Sequence, residues 1–227
     1  MLDIKKINKI TDPKVRRQLK LDILTSIAKK KDTHLRSDFL SFVKHIWPEF
    51  IEGSHHIKPP RHTKSEFASY FLPAWMIGNN SKLKIIQATH TAELAIKFGR
   101  KTKTLIDSEE YQKLFKTRLR EDSKAAGRWE TDQGGEYFAV GVEGAVTGRG
   151  ADLLIIDDPH SEQDVNSPNA FDKAYEWYTS GPRQRLQPGG RIVLVMTRWS
   201  TKDLTAQLIN AAAKEVKADQ WEVIEFP

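Results

Sequence analysis

Two short motifs in this sequence carry residue types that act together in phosphate chemistry. The first, KPPRHTKS at residues 58–65, ends in Lys64 and Ser65 directly before a helical pattern. It has the length and ending of the phosphate-binding loop GxxxxGK[ST], in which backbone N–H groups and the lysine hold phosphates while the hydroxyl binds Mg²⁺. Lys58 and Thr63 replace both glycines, so the match on its own is weak. An ordinary helix N-cap is the alternative.

The second motif, DLLIIDD at residues 152–158, supplies carboxylates at the end of an apolar run. This pattern is typical of a buried strand that delivers acids to its C-terminal edge, where ligands bind in α/β proteins. Asp157 is then the candidate Mg²⁺ ligand, and Asp158 the group that orients or deprotonates a water attacking a γ-phosphate. A strand that ends in an acidic turn is the alternative.

A third motif, RIVLVMTRW at residues 191–199, ends an apolar run at Thr197 and Arg198. A polar strand end beside the acids can sense the γ-phosphate and transmit its loss to moving parts. The alternative is a strand with a polar stop. Because the carboxyl ends of parallel strands meet at one edge of a sheet, we expect the three motifs to converge on one crevice.

The composition excludes several classes of protein. The chain has 227 residues, 39% hydrophobic and 29% charged, which is typical of one sizeable folded domain with an appendage. It contains no cysteine, so disulfide frameworks and thiolate metal sites are excluded. No apolar stretch is long enough for a membrane span or a secretory signal, which predicts a cytoplasmic protein without a membrane partner. The net charge of +6 arises in the first 50 residues. This basic segment is either the solvated face of an amphipathic helix or a surface that contacts phosphates.

Apolar periodicity predicts helices first and an alternation of strands and helices afterwards. The steps of three and four predict a helix over residues 12–31, and a second helix over Phe39–Ile46 with Ser37 or Asp38 as its N-cap. Short apolar runs predict buried strands at Leu83–Ala88, Tyr137–Val142, Leu153–Asp157, Arg191–Thr197 and Trp221–Phe226. Further helices are predicted at Ser65–Ile77, Ala92–Ile106, Asn169–Tyr178 and Thr201–Lys217.

The fold class that follows is α/β, with a mostly parallel sheet covered by helices. Residues 120–135 are polar and contain glycine, and they predict a loop or an edge hairpin. We place the domain boundary between a basic helical N-terminal segment, residues 1–56, and a core, residues 57–227.

The sequence resembles a known family, the large terminase subunit of tailed bacteriophages, the motor that pumps DNA into the procapsid. The resemblance covers nearly the whole chain from Phe39 onward. It rests on these segments, in this order: FVKHIWPEFIEGSHH, PPRHTKSEFASYFLPAW, LKIIQATHTAELAIKFGRK, GRWETDQGGEYFAVGVEGAVTGRGADLLIIDDPHSEQDV and GPRQRLQPGGRIVLVMTRWSTKDL.

The resemblance implies a P-loop ATPase core of the additional-strand class that uses ATP and Mg²⁺. Asp157–Asp158 resemble the Walker B motif with its catalytic acid, and Thr197–Arg198 resemble the coupling motif. Ser65 and Asp157 would hold the metal ion. The loop resembles a variant Walker A motif in which threonine before the lysine is tolerated, and its nucleotide-binding positions are Pro60, Arg61, His62, Thr63, Lys64 and Ser65.

Two arginines are candidates for stabilising transition-state charge. Arg61, inside the loop, could act in cis as an arginine finger, and a surface salt bridge is the alternative. Arg149 is flanked by glycines that would let it swing, and we rank it below Arg61.

The resemblance also implies partners. These are double-stranded DNA, the portal protein and the small terminase subunit, with a homo-oligomeric ring assembled on the portal in the host cell cytoplasm.

Two departures from the family pattern shape the expectations. Relatives carry an apolar strand immediately before the loop, whereas here Gly53-Ser-His-His-Ile-Lys leads straight into it. Terminases continue into a nuclease domain, whereas this sequence stops at Pro227, so we expect no DNA cleavage. The second hypothesis is therefore a truncated, catalytically silent fragment that acts as a binding module. A helicase-type ATPase ranks third, because its additional nucleic-acid motifs are not recognisable.

Overall fold

The computed structural model describes residues 13–50, 64–123, 125–167 and 169–224. The chain divides into two compact units, residues 1–50 and residues 51–227. The predicted boundary between residues 56 and 57 lies outside the described residues. None of the helices in these ranges is both long and apolar enough to cross a lipid bilayer.

The described part of the first unit is helical. Helix α1 spans Pro13–Ser37 and α2 spans Phe39–Ile46. The side chain of Asp38 accepts a hydrogen bond of 2.7 Å from the backbone N–H of Ser41, so Asp38 is the N-cap of α2. The prediction of α2 is confirmed with both bounds, and α1 is longer at its C-terminal end than predicted.

The second unit contains a five-stranded sheet in the order β2-β3-β1-β4-β5. Its strands are β1 (Lys84–Thr89), β2 (Arg128–Glu130), β3 (Glu136–Gly141), β4 (Ala151–Asp157) and β5 (Leu186–Val195). All pairs are parallel except β2 with β3, which form an antiparallel hairpin at the edge. The predicted α/β class, its mostly parallel sheet and the edge hairpin are confirmed.

Helices cover this sheet. A π-helix, Glu66–Phe71, continues into α3, and the α-helices of the unit are α3 (Leu72–Asn79), α4 (Ala92–Ile106), α5 (Glu109–Leu114), α6 (Ala170–Ser180) and α7 (Leu204–Lys214). The sequence did not predict α5, because six residues are too few to show a helical period.

The two faces of the sheet have different chemistry. On one face Ile86, Leu154 and Ile156 are buried in an apolar cluster with residues of α6 and α7, among them Trp177 and Leu208. Because successive residues of a strand point to opposite faces, the residues between them lie on the other face. There the buried residues include the polar side chains of Gln87, Thr89 and Asp157.

The predicted strand Trp221–Phe226 is wrong for its described part. Residues 221–224 are not in a strand, and residues 225 and 226 lie outside the described residues. Val223 is 50% exposed and Ile224 69% exposed, so this apolar run is not buried as a central strand would be.

The expected departure before the phosphate-loop motif, at residues 53–58, lies outside the described residues. The central strand β4 is paired from Leu153 to Asp157 with β1 on one side and with β5 on the other. Both of its edges therefore carry ladder hydrogen bonds, and no further strand can pair with β4.

Candidate functional site

The carboxyl ends of β1, β4 and β5 meet at one edge of the sheet. Asp157, the last residue of β4, lies opposite Thr89 of β1 and Val195 of β5. Asp158 follows it, and Thr197 follows β5 by two residues. The expected convergence of the acidic strand end with the Thr197 strand end is therefore present.

The end of the phosphate-loop motif also reaches this edge. The Ser65 hydroxyl donates a hydrogen bond of 3.0 Å to Asp157 Oδ1. From the π-helix, the Ser69 hydroxyl donates a bond of 2.6 Å to Asp157 Oδ2. Both oxygens of this carboxylate are thus held by hydroxyl groups of one helical segment.

Burial raises the pKa of Asp157 to about 6. The hydrogen bonds from Ser69 and Ser65 oppose this shift, the negative charge of Asp158 adds to it, and the positive charge of Lys64 opposes it. Asp157 is only 2% exposed, so its charge has lost almost all of its hydration.

The donor set fits a Mg²⁺ ion. Magnesium prefers hard oxygen ligands and is usually held by one or two carboxylates together with substrate phosphates and water. Ser65 Oγ and Asp157 Oδ1 are two such oxygens at 3.0 Å from each other. A divalent cation would also offset the cost of the buried negative charge.

Asp158 turns away from this buried pair. Its φ of 43° puts it in the left-handed region, where aspartate is tolerated better than most residues. Its backbone N–H donates to Val195 O at 2.8 Å, and its Oδ1 accepts from the backbone N–H of Thr197 at 3.2 Å. The turn thereby presents two consecutive carboxylates in different directions, one buried and one at the sheet edge.

The predicted coupling pair is divided between two partners. Thr197 contacts Asp158, whereas the Arg198 guanidinium bonds to Asp203 at 2.9 Å through its Nε. Asp203 is the N-cap of α7. The strand end after β5 therefore connects the acid at the sheet edge to the start of α7.

Asp203 gathers four donors on one fully buried carboxylate. It accepts from Arg198 Nε and from the backbone N–H groups of Trp199, Ser200 and Ala206. Burial by itself would raise the pKa of Asp203, but these bonds outweigh it and lower the pKa.

Replacing Asp203 with alanine is expected to lower the free energy of unfolding by about 2–3 kcal/mol, because buried donors lose a charged acceptor and α7 loses its cap. Urea denaturation at neutral pH measures the loss. Asp203→Asn keeps a capping oxygen and should lose less. An unchanged free energy of unfolding in the alanine variant would contradict this role of Asp203.

A second contact ties α7 to the loop after β4. His160, two residues after Asp158, is buried, and its Nε2 accepts a hydrogen bond of 3.0 Å from the backbone N–H of Leu204. Burial lowers the pKa of His160, which favours the neutral ring that this acceptor role requires. No sequence pattern indicates this contact, because a histidine after an acidic turn is not part of a recognisable motif.

The remaining predicted residues have different outcomes. Lys64 and Ser65 lie in the helical turn directly before the π-helix. Pro60, Arg61, His62 and Thr63 lie outside the described residues, so their roles remain predictions.

The structure contradicts the candidate role of Arg149 in stabilising transition-state charge. Arg149 pairs with Glu136 at the start of β3 and stacks over the ring of Phe138 at 3.7 Å. Phe138 lies on the face of the sheet that packs against α6 and α7, whereas Asp157 lies on the opposite face, and Glu136 is at the amino end of β3. Arg149 therefore cannot supply charge to a phosphate at the carboxyl edge.

Two further residues of the site, Ser69 and Gln87, had a signal in the sequence but were not predicted. Ser69 stands four residues after Ser65 in a helical pattern, which places both on one side of the helix. Gln87 interrupts the apolar run of β1, and a polar residue inside a buried strand indicates a buried hydrogen bond.

A weak similarity to a solved structure was found. The crystal structure of the HK97 bacteriophage large terminase matches at 15% sequence identity and a TM-score of 0.38. The match covers 63% of this chain and 30% of that chain, so this chain spans under a third of that terminase. No protein-family model matches the chain, and no curated protein matches it significantly. The proposal below therefore rests on the site and on the sequence motifs, and not on these comparisons.

Proposed function

We propose that this chain is the Mg²⁺-dependent, ATP-hydrolysing core of a phage large terminase. The observation that carries the proposal is the hydrogen bond between Ser65 and Asp157, residues predicted from separate motifs to share one metal ion. Lys64 lies next to Ser65, close enough for its charge to act on Asp157. A hydroxyl, a buried carboxylate and an ammonium group are the groups that bind a nucleoside triphosphate together with Mg²⁺.

In this proposal each residue has one task. Lys64 neutralises charge on the phosphate oxygens, and Ser65 and Asp157 would hold Mg²⁺, which would supply further positive charge to the phosphates. Asp158 takes a proton from the attacking water. The water oxygen bonds to the γ-phosphorus while the bond from that phosphorus to the bridging oxygen breaks, which gives ADP and inorganic phosphate. Asp158 then returns its proton to solvent.

The packaging role is proposed from the sequence resemblance. It includes double-stranded DNA as the track, and the portal protein and the small terminase subunit as partners. A homo-oligomeric ring would assemble on the portal in the host cell cytoplasm. In that setting Thr197 and Arg198 would pass a change at Asp158 to α7 through Asp203. Stimulation of ATP hydrolysis by duplex DNA would support this part of the proposal.

Thermal unfolding with and without MgATP tests nucleotide binding. A ligand that binds only the folded state stabilises it, by about 2.7 kcal/mol at 100 times its dissociation constant. We expect this stabilisation in the wild type and its loss in Lys64→Ala. The matched control is Lys113→Ala, which removes an exposed lysine paired with Glu109 on α5. Equal stabilisation of wild type and Lys64→Ala would contradict the role of Lys64.

A catalytically silent binding module is the second candidate, and one observation favours it. The residues before the phosphate loop, Gly53-Ser-His-His-Ile-Lys, contain no apolar run long enough for a buried strand. Such a strand would otherwise fix the geometry of the loop. If neither MgATP nor MgADP stabilises the wild type, the silent module is the better assignment.

A further inference from the structure

Four buried polar side chains, one of them Asp157, lie on the same face of the sheet. Ser69, Gln87, Thr102 and Asp157 are each no more than 2% exposed, and they lie between the sheet and the helical segments over it. Buried polar groups are costly unless hydrogen bonds compensate them. A cluster of this kind inside an apolar core calls for a function or for bound water.

Hydrogen bonds connect three members of this cluster in a fixed direction. Gln87 Nε2 donates to Ser69 Oγ at 2.9 Å, and Ser69 Oγ donates to Asp157 Oδ2 at 2.6 Å. An amide nitrogen can only donate a hydrogen bond, so Ser69 Oγ is the acceptor of the bond from Gln87. The single hydroxyl proton of Ser69 therefore remains available for the bond to Asp157. The opposite amide orientation would require that proton to serve Gln87 and Asp157 at once.

The direction of these bonds distinguishes the two oxygens of the carboxylate. Oδ2 is fixed by Ser69 from inside the fold, while Oδ1 contacts Ser65, the residue adjoining Lys64. The two oxygens of Asp157 are therefore not equivalent. Oδ1 is the one that lies at the end of the phosphate-loop motif.

The arrangement also leaves one polar atom of Gln87 without a hydrogen bond to any described residue. Among the described residues, Gln87 Oε1 is buried and has no hydrogen-bond partner. An apolar side chain at this position of β1 would avoid that cost, so the fold gains little from glutamine as packing. The gain from Gln87 is the orientation that it imposes on Ser69.

We propose that Ser69 and Gln87 are positioning residues that hold the Asp157 carboxylate with Oδ1 directed to the metal ion. This inference rests on the proposed function. Groups of this kind orient metal ligands without touching the metal, and their loss typically weakens metal binding 10- to 100-fold.

The test measures the Mg²⁺ concentration that gives half-maximal tightening of ATP binding, by calorimetry at fixed ATP. Ser69→Ala and Gln87→Leu should each need roughly 10–100 times more Mg²⁺ than the wild type. Their ATP affinity in EDTA should be unchanged. Ser69→Thr keeps the hydroxyl and should restore most of the wild-type response.

The matched control is Thr117→Val, which removes another buried hydroxyl, one that donates to Ile77 O at 3.1 Å away from the site. It can change stability but should not change the Mg²⁺ requirement. If Ser69→Ala does not fold, Gln87→Leu tests the positioning role by itself, because it removes the bond from Gln87 to Ser69 and keeps the Ser69 hydroxyl.

The outcomes separate the two proposals. An unchanged Mg²⁺ requirement in Ser69→Ala and Gln87→Leu, with Mg²⁺-dependent binding intact in the wild type, overturns the positioning role alone. A wild type whose ATP binding does not respond to Mg²⁺ overturns the proposed function and this inference together.

Discussion

Replacing Asp158 with asparagine should lower ATP turnover by roughly 100- to 10,000-fold, the usual contribution of a general base. The carboxylate of Asp158 lies at the sheet edge, so asparagine removes the proton acceptor without disturbing the buried pair of Asp157 and Ser65. Its amide oxygen can still accept the hydrogen bond from the backbone N–H of Thr197. Phosphate release at saturating MgATP measures turnover, and calorimetry checks that MgATP still binds.

Glu143→Gln is the matched control for this change. Glu143 is also a non-glycine residue with positive φ, at 67°, and it is exposed, so the same acid-to-amide replacement is made in a similar backbone. Its turnover should equal that of the wild type. Wild-type turnover in Asp158→Asn would show that another group takes the proton.

Replacing Asp157 with asparagine should make the nucleotide-free protein more stable at neutral pH, by about 3 kcal/mol, and should abolish Mg²⁺-dependent ATP binding. The pKa of Asp157 is raised from 3.8 to about 6 in the folded chain, mainly by burial. Between these values the folded state binds more protons than the unfolded state. Wild-type stability therefore falls as the pH rises from about 4 to about 6, and it stays lower above that range.

Chemical denaturation of both proteins at several pH values between about 4 and 7.5 isolates this effect. The stability difference between Asp157→Asn and the wild type should be small near pH 4 and should reach its full size above about pH 6. Adding Mg²⁺ at a fixed ATP concentration should stabilise the wild type further and should not stabilise the variant further. A variant that is less stable than the wild type at neutral pH would show that Lys64 and the two serines outweigh the burial of the charge.

The sheet was predictable where apolar runs are continuous. Strands β1, β3 and β4 follow from buried runs of six or seven residues, and the acids at the end of β4 follow from its pattern. The first half of β5 was not predicted, because Pro188, Gly189 and Gly190 are typical of a turn. In the folded chain they lie in an irregular stretch of this edge strand, between Leu186, which pairs with Ala151, and Arg191, which pairs with Leu153.

The candidate site was predictable only as a set of strand and helix ends. Sequence motifs indicated Ser65 and Asp157 as metal ligands, but no pattern gives the partner of each side chain. Arg198 contacts Asp203 and not the site edge, since a buried helix cap offers a stronger acceptor than an exposed position. Arg149 is held at the far end of the sheet for a similar reason, a nearby carboxylate and an aromatic ring.

The contacts of Ser69 and Gln87 also could not be predicted from the sequence. Both lie in segments that were predicted correctly, a helix and a strand. Their hydrogen bonds to each other and to Asp157 depend on how that helix rests on the sheet, and this arrangement is set by packing across the whole core.

Calorimetric titration of the purified chain with ATP, in Mg²⁺ and again in EDTA, tests the proposed metal site most directly. We expect binding that Mg²⁺ strengthens in the wild type and does not strengthen in Asp157→Asn. The wild-type result would mean that Ser65 and Asp157 form a working metal site at the sheet edge. Wild-type binding that is absent, or equal with and without Mg²⁺, would contradict the proposed function.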